Sequence, residues 1–185
     1  CMVCAMAFGL AAVAVNFAPL FYGDDFAYSG TLMMPLAFTL LSIGFANVIR
    51  TQWVLPQGRD TIFVHSVLTG AVINLIANFV LIPPLGAMGA AAATVLAEFS
   101  VPAVQFVYLR KELPYAHYLK TTGVYCLFGL VMAGVVALLG HVLPLYGWRK
   151  LAVQVIGGAA VYGALCLTYW KLAKRSDIFR LMRRK

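Results

Sequence analysis

Six apolar runs of about twenty residues, separated by short polar stretches, dominate this 185-residue chain. An α-helix rises about 1.5 Å per residue, so each run is long enough to cross roughly 30 Å of bilayer hydrocarbon. Helices and closed barrels are the structures that satisfy their own backbone hydrogen bonds in lipid. The repeated alternation of polar and apolar residues that is typical of barrel strands is absent. The pattern therefore predicts an all-α, polytopic membrane protein.

Composition and charge narrow the class further. The chain is 63% hydrophobic and 11% charged, which leaves too few polar side chains to cover a soluble domain of this size. Its net charge is +8, and seven of the fourteen Lys and Arg residues lie in the last fifteen positions. A cationic segment after the last apolar run is typical of a cytoplasmic tail beside anionic lipid. We therefore expect membrane lipids, and no nucleic acid, as partners of these cations.

The predicted spans cover residues 2–21, 31–55, 62–82, 88–109, 121–140 and 151–172, and a basic tail covers residues 173–185. The chain begins within an apolar run and without Met, so we interpret it as the C-terminal part of a longer protein. Short connections predict that successive helices are antiparallel neighbours. The loops on one side carry eleven cations and those on the other side carry two. The positive-inside rule places the cation-rich side, with the C-terminus, in the cytoplasm.

The segment from Asn74 to Glu98 holds the most unusual polar residues. Asn74 and Asn78 are one helical turn apart and therefore share a face. A helix hairpin turn is predicted next, and it is formed by Pro83, Pro84, Gly86 and Gly89. Small residues follow it and lead to Glu98 at membrane depth. Amides and a carboxyl group there either line a polar cavity, with Glu98 coupling transport to an ion, or hold helices together by hydrogen bonds.

Arg50 is a cation inside the second predicted span, and Asn47 and Gln52 lie close to it in the sequence. Because Arg50 is about five residues from the cytoplasmic end, its side chain could reach the inner headgroups. The alternative is a cavity arginine that binds an anionic headgroup, for which the guanidinium group is well suited. Asn47 and Gln52 would then contribute to the same binding site.

The sequence indicates no enzyme, cofactor or metal site. Its four cysteines, Cys1, Cys4, Cys126 and Cys166, all lie in apolar runs, where cysteine packs as a small hydrophobic residue. The pair at positions 1 and 4 lacks both the strand–helix context of a redox motif and a second pair for zinc. No metalloprotease, phosphate-loop or nucleophile-elbow motif occurs. The loops are also too short to carry a catalytic apparatus.

Four groups of residues suggest a family. They are Leu20-Phe21-Tyr22-Gly23 with Phe26; Asn47 and Gln52 with Leu55-Pro56 and Gly58; Gly70, Asn74, Asn78, Leu81-Ile82-Pro83, Gly86, Gly89-Ala90-Ala91, Thr94 and Glu98; and Val161-Tyr162-Gly163. In these groups the chain resembles the C-terminal half of the polysaccharide repeat-unit flippases. Their superfamily also contains the MATE drug exporters and the peptidoglycan lipid II flippase. The resemblance extends over nearly the whole chain.

The resemblance implies one six-helix lobe of a two-lobe transporter that works by alternating access. Its implied substrate is an oligosaccharide on undecaprenyl diphosphate, flipped from the cytoplasmic to the outer leaflet for capsule, O-antigen or exopolysaccharide. The implied setting is a bacterial plasma membrane, with a proton or sodium gradient as the energy source and the polymerase and chain-length proteins of the pathway as partners. By the same resemblance, Arg50 would attract the diphosphate.

Three alternatives stay open on the sequence. A MATE-type exporter of cationic drugs would need acidic residues in its cavity, rather than Arg50. A membrane-embedded glycosyltransferase or ligase of the same pathway would need a polar catalytic loop. A purely structural subunit would have no need of polar residues at membrane depth.

Overall fold

The structure, a computed structural model, describes residues 1–182 of the chain and the side chains of residues 1–173. Throughout residues 1–182 the chain is helical where it is regular, and it contains no strand. Six of its helical segments are long and apolar enough to cross a membrane. The prediction of an all-α, polytopic membrane protein is therefore confirmed. Most of the predicted basic tail, residues 174–185, lies outside the residues whose side chains are described.

Seven α-helices make up the bundle. They are α1 Met2–Tyr22, α2 Ala27–Ala37, α3 Thr39–Ile49, α4 Asp60–Leu85, α5 Ala87–Leu109, α6 Tyr115–Val142 and α7 Gly147–Met182. Helices α2 and α3 together form the second span, which includes the short turns on either side and covers Asp24–Gln57. The fifth and sixth spans begin at Tyr115 and Gly147, earlier than the predicted residues 121 and 151. Polar residues of the first turns account for that difference, because they extend a helix without adding to its apolar run.

The second span is not the single straight helix that the apolar run 31–55 predicts. Helix α2 ends at Ala37 and α3 begins at Thr39, with Phe38 between them. Pro35 lies three residues before Phe38 and has no N–H group, so the last turn of α2 has one backbone hydrogen bond fewer than an uninterrupted helix would have. At its far end the span widens into a π-helical turn, Arg50–Val54, and closes with a 3₁₀ turn, Leu55–Gln57. Arg50 is therefore on irregular backbone, where π-helical turns often accompany functional residues.

Helices α4 and α5 form a tight hairpin, and its turn is shorter than the sequence predicts. Pro83 and Pro84 do not end the helix but lie within the last turn of α4. The reversal is confined to Gly86, which has a φ of 55° that favours glycine. Gly89 belongs to the first turn of α5, and its Cα packs against the Leu81 carbonyl oxygen of α4. The missing side chain at Gly89 allows the two helix backbones to approach closely.

Helix α1 is central to the rest of the bundle and packs against α2, α3, α6 and α7. One core cluster joins α1 to α6 and α7 and consists of Cys4, Phe8, Val13, Met132, Val136, Leu151, Tyr162 and Cys166. Helix α5 packs against α2, α3 and α4, whereas α4 packs almost entirely against α5. Helices α3 and α4 therefore lie on either side of α5 without packing closely on each other. That arrangement leaves an open cleft between them.

A polar contact fastens the end of the second span to the α5–α6 loop. Arg59 donates a hydrogen bond to Oε2 of Glu112 at 2.6 Å, and the Trp53 indole donates to the same oxygen at 3.3 Å. The hydrogen bond from Arg59, followed by that from Trp53, lowers the pKa of the Glu112 carboxyl group below its ordinary value. The contact lies beside a second core cluster, formed by Ile49, Val54, Ile62, Leu109, Leu113 and Tyr115.

Acid should weaken this contact. The pKa of this carboxyl group is lower in the folded chain than in the unfolded chain, where it is about 4.3. Above about pH 4.3 the ionised group therefore stabilises the fold. That contribution is lost as pH falls through the folded pKa. We expect Glu112→Gln to lower the thermal midpoint slightly at pH 7, because the contact is exposed and screened. The difference from wild type should shrink as pH falls below the unfolded pKa of about 4.3 and vanish below the lower folded pKa. An equal difference at pH 7 and pH 3.5 would contradict this, and Asp25→Asn in the α1–α2 turn is the control.

Candidate functional site

The polar cleft between α3 and α4, with α5 as its floor, is the candidate functional site. Its volume is about 480 Å³, within the range of small-molecule binding sites. Its lining residues are Ile43, Ala46 and Asn47 from α3; Phe63, Val67, Gly70, Ala71 and Asn74 from α4; and Thr94, Ala97, Glu98, Val101 and Gln105 from α5. The cleft therefore lies within the membrane-spanning part of the bundle and combines an apolar wall with five polar side chains.

Helical spacing explains why these residues share one cleft. On α5 the lining positions 94, 98, 101 and 105 recur every three or four residues and form one stripe along the helix. On α4 the positions 63, 67, 70 and 74 repeat the same spacing. Because the two helices are antiparallel, Phe63 lies at the Gln105 end of the cleft and Asn74 at the Thr94 end. Each end of the cleft thus has its own polar groups.

The prediction that Asn74 and Asn78 share a face agrees with their geometry. The Asn78 side-chain amide donates a hydrogen bond to the Asn74 side-chain oxygen at 3.0 Å. Asn74 lines the cleft and Asn78 does not. Asn78 thereby orients the Asn74 amide, whose own N–H groups make no hydrogen bond within the described residues. This hydrogen bond lies within α4 and joins no second helix, so the lining of a polar cavity and the joining of helices both stay predictions for the pair.

Glu98 lies half-buried on the floor of the cleft. The Ser42 hydroxyl of α3 donates a hydrogen bond to the Glu98 backbone oxygen, which fixes α3 against α5 at this level. The Glu98 carboxyl group itself makes no hydrogen bond or ion pair with any described residue. It is also the single charged side chain among the described residues that line the cleft. The cleft therefore presents one acid and no base to a ligand.

Gln105 was not predicted as a site residue, because a lone glutamine in an apolar run is most often a contact between helices. It lines the cleft and is completely buried, yet neither its amide nitrogen nor its amide oxygen has a partner in the described structure. The Tyr115 hydroxyl donates to the backbone oxygen of Gln105, at 3.3 Å, and leaves the side chain free. An unpartnered buried amide carries a desolvation cost of about 1–3 kcal/mol, which a polar ligand would offset.

The predicted trio of Arg50, Asn47 and Gln52 does not form one site. Asn47 lines the polar cleft, whereas Gln52 lines a separate cavity of about 440 Å³ between α1, α3 and α6. Arg50 lines neither. Its guanidinium carbon lies 4.0 Å from the centre of the Phe63 ring, in a cation–π contact, and its buried Nε has no partner. Because Phe63 is part of the cleft wall, Arg50 lies just behind the Gln105 end.

The cleft's side chains are suited to hydrogen bonding rather than to metal or covalent chemistry. No group of three or more His, Cys, Asp or Glu that could hold a metal ion occurs within the part of the chain that the structure describes. Comparisons with protein-family models, with curated proteins and with solved structures found no match to this chain. The resemblance to the flippases therefore remains a prediction.

Proposed function

We propose that this chain is one lobe of a membrane transporter that flips undecaprenyl-diphosphate-linked oligosaccharides across a bacterial plasma membrane. The observation that supports this best is the arrangement of three amides, Asn47, Asn74 and Gln105, along a cleft at membrane depth, with Arg50 just outside the Gln105 end. Unaided, a diphosphate and a chain of sugar hydroxyls would lose their hydration in hydrocarbon at a prohibitive cost. The cleft offers replacements for the lost water.

The order of polar groups along the cleft fits a molecule with an anionic and a neutral part. Arg50 and Phe63 lie near the end of the bundle that carries the cationic loops, which contain Arg59, Arg110, Lys111 and Lys120. In the proposal the diphosphate binds to Arg50 just outside the Gln105 end of the cleft, and the sugars extend into the cleft past Gln105 and Glu98 towards Asn74. The cation-rich end is then the cytoplasmic entrance.

The test of this proposal is the leaflet in which the lipid-linked oligosaccharide accumulates. In cells deleted for the gene, we expect the intermediate to accumulate on the cytoplasmic leaflet and the surface polymer to disappear. Restoring the gene with Arg50→Ala should lower transport by about ten- to a hundredfold, because a hydrogen bond to a charged group contributes about 1.5–3 kcal/mol. Sidedness is measured with a membrane-impermeant probe of the sugar.

Arg110→Ala is the matched control, since Arg110 is an exposed arginine at the same end of the bundle and lines no cleft. It should restore wild-type transport. If the Arg50→Ala variant also transported at the wild-type rate, the assignment of Arg50 to diphosphate binding would be wrong. A normal distribution of the intermediate in deleted cells would contradict the flippase proposal itself, and an incomplete oligosaccharide there would favour a transferase.

A second candidate, a MATE-type exporter of cationic drugs, is favoured by one observation. Glu98 is an acid without a basic partner in the described part of the cleft, as a binding site for a cation would require. For this candidate, deletion would sensitise cells to lipophilic cations and leave the surface polymer intact. Glu98→Gln would reproduce the sensitivity, whereas Arg50→Ala would not.

A further inference from the structure

We infer that the polar cleft selects its sugar by charge: it accepts neutral or amine-bearing sugar residues and rejects acidic ones such as uronic acids. This inference rests on the proposed function and names the substrate class for the same cleft. It follows from which charged groups line the cleft and from which polar groups are left without partners.

The first step concerns hydrogen-bonding capacity. Asn47, Asn74 and Gln105 each bring an amide that both donates and accepts, and they come from three different helices. The Thr94 hydroxyl is already used, because it donates to the Ala90 backbone oxygen at 3.0 Å. The Asn74 oxygen already accepts from Asn78, so the free groups are the Asn47 and Gln105 amides and the Asn74 N–H groups. Their mixed character matches a sugar hydroxyl or an N-acetyl group, which also donates and accepts.

The second step concerns charge. The Glu98 carboxylate has no cation beside it among the described lining residues, and the guanidinium group of Arg50 lies behind the Phe63 ring at one end. A sugar carboxylate in the cleft would meet Glu98 without compensation, and two like charges in a partly desolvated site repel strongly. A sugar hydroxyl or ammonium group would instead donate to the same carboxylate.

The third step is that the backbone at Glu98 is held in place. This backbone is fixed to α3 by the Ser42 hydroxyl, and Glu98 lies between Thr94 and Gln105 on the α5 stripe. A sugar that extends along the cleft therefore passes this carboxylate. Selectivity by charge then requires no movement of the helices.

The experiment measures binding of three methyl glycosides to the purified full-length protein in nanodiscs. Methyl glucosaminide and methyl glucuronide each differ from methyl glucoside in one substituent, and the three are compared by saturation-transfer NMR titration. We expect the glucuronide to bind at least about tenfold more weakly than the other two, which is the effect of roughly one unfavourable charge contact. Glu98→Gln should reduce this discrimination to about twofold or less, by the same relation.

Two variants keep the result interpretable. Asn47→Asp adds a second carboxylate to the cleft and should widen the discrimination, whereas Glu112→Gln removes an exposed carboxylate in the α5–α6 loop and should leave it unchanged. Equal binding of glucuronide and glucoside by the wild type would overturn the inference. So would discrimination that survives Glu98→Gln, or a failure of all three glycosides to bind.

This binding test is separate from the test of transport. Selective glycoside binding by a chain whose deletion traps no lipid-linked intermediate would support the sugar site and reject the flippase. Trapped intermediate together with unselective binding would support the flippase and reject charge selection.

Discussion

Replacing Gly89 with alanine is expected to lower the free energy of unfolding by roughly 1–3 kcal/mol, although alanine is the better helix former. Gly89 is buried in the first turn of α5, and a Cβ atom built there overlaps the Leu81 carbonyl oxygen. That oxygen belongs to the backbone of α4 and cannot rotate away as the end of a side chain would. The hairpin has to open, and it loses the close packing that holds helices together in lipid. Unfolding in mixed micelles with increasing SDS measures the change.

Gly134→Ala is the matched control for this prediction. Gly134 lies in the interior of α6, and a Cβ atom there would meet nothing within 4 Å. Alanine at position 134 should leave stability unchanged or raise it by up to about 1 kcal/mol, through helix propensity alone. If the two variants were equally stable, the close approach of α4 and α5 at Gly89 would not be needed for the fold.

The six spans could be predicted from the sequence because burial in lipid requires long apolar runs, whatever the helices pack against. The irregular course of the second span could not be predicted in this way. The break at Phe38 and the π-helical turn that begins at Arg50 leave the apolar content of the span unchanged, so an apolar run alone does not indicate them. Pro35 was the local signal for the break.

The Asn74 side of the cleft could be predicted from the helical spacing of polar residues in the sequence. Asn74 and Asn78 are four residues apart, and the structure joins them by a hydrogen bond. Gln52 was grouped with Asn47 by closeness along the chain, which does not by itself bring two residues to one face of a helix. Gln52 follows Asn47 by five residues, so at about 3.6 residues per turn it falls on a different side.

The Gln105→Leu substitution is expected to weaken sugar binding without lowering the stability of the fold. Leucine removes two polar atoms that are buried without partners, so the free energy of unfolding should stay the same or rise by about 1 kcal/mol. The hydrogen bond from Tyr115 is kept, because it ends on the backbone oxygen of residue 105. Binding of methyl glucoside should fall by about fivefold or more, since loss of one hydrogen bond to a ligand costs on the order of 1 kcal/mol and leaves sugar hydroxyls facing leucine. SDS titration and saturation-transfer NMR measure the two effects on the same sample.

The Gln154→Leu substitution is the control, and it is expected to lower stability without changing sugar binding. Gln154 is 2% exposed on α7, and its amide nitrogen donates to the Val136 backbone oxygen at 3.0 Å, so this glutamine does join two helices. Leucine there should lower stability by about 0.5–1.5 kcal/mol and leave glycoside binding unchanged. If Gln105→Leu behaved in the same way, Gln105 would be a helix contact like Gln154. A gain in stability together with a loss of binding would mean that the chain keeps an unfavourable buried amide for its ligand.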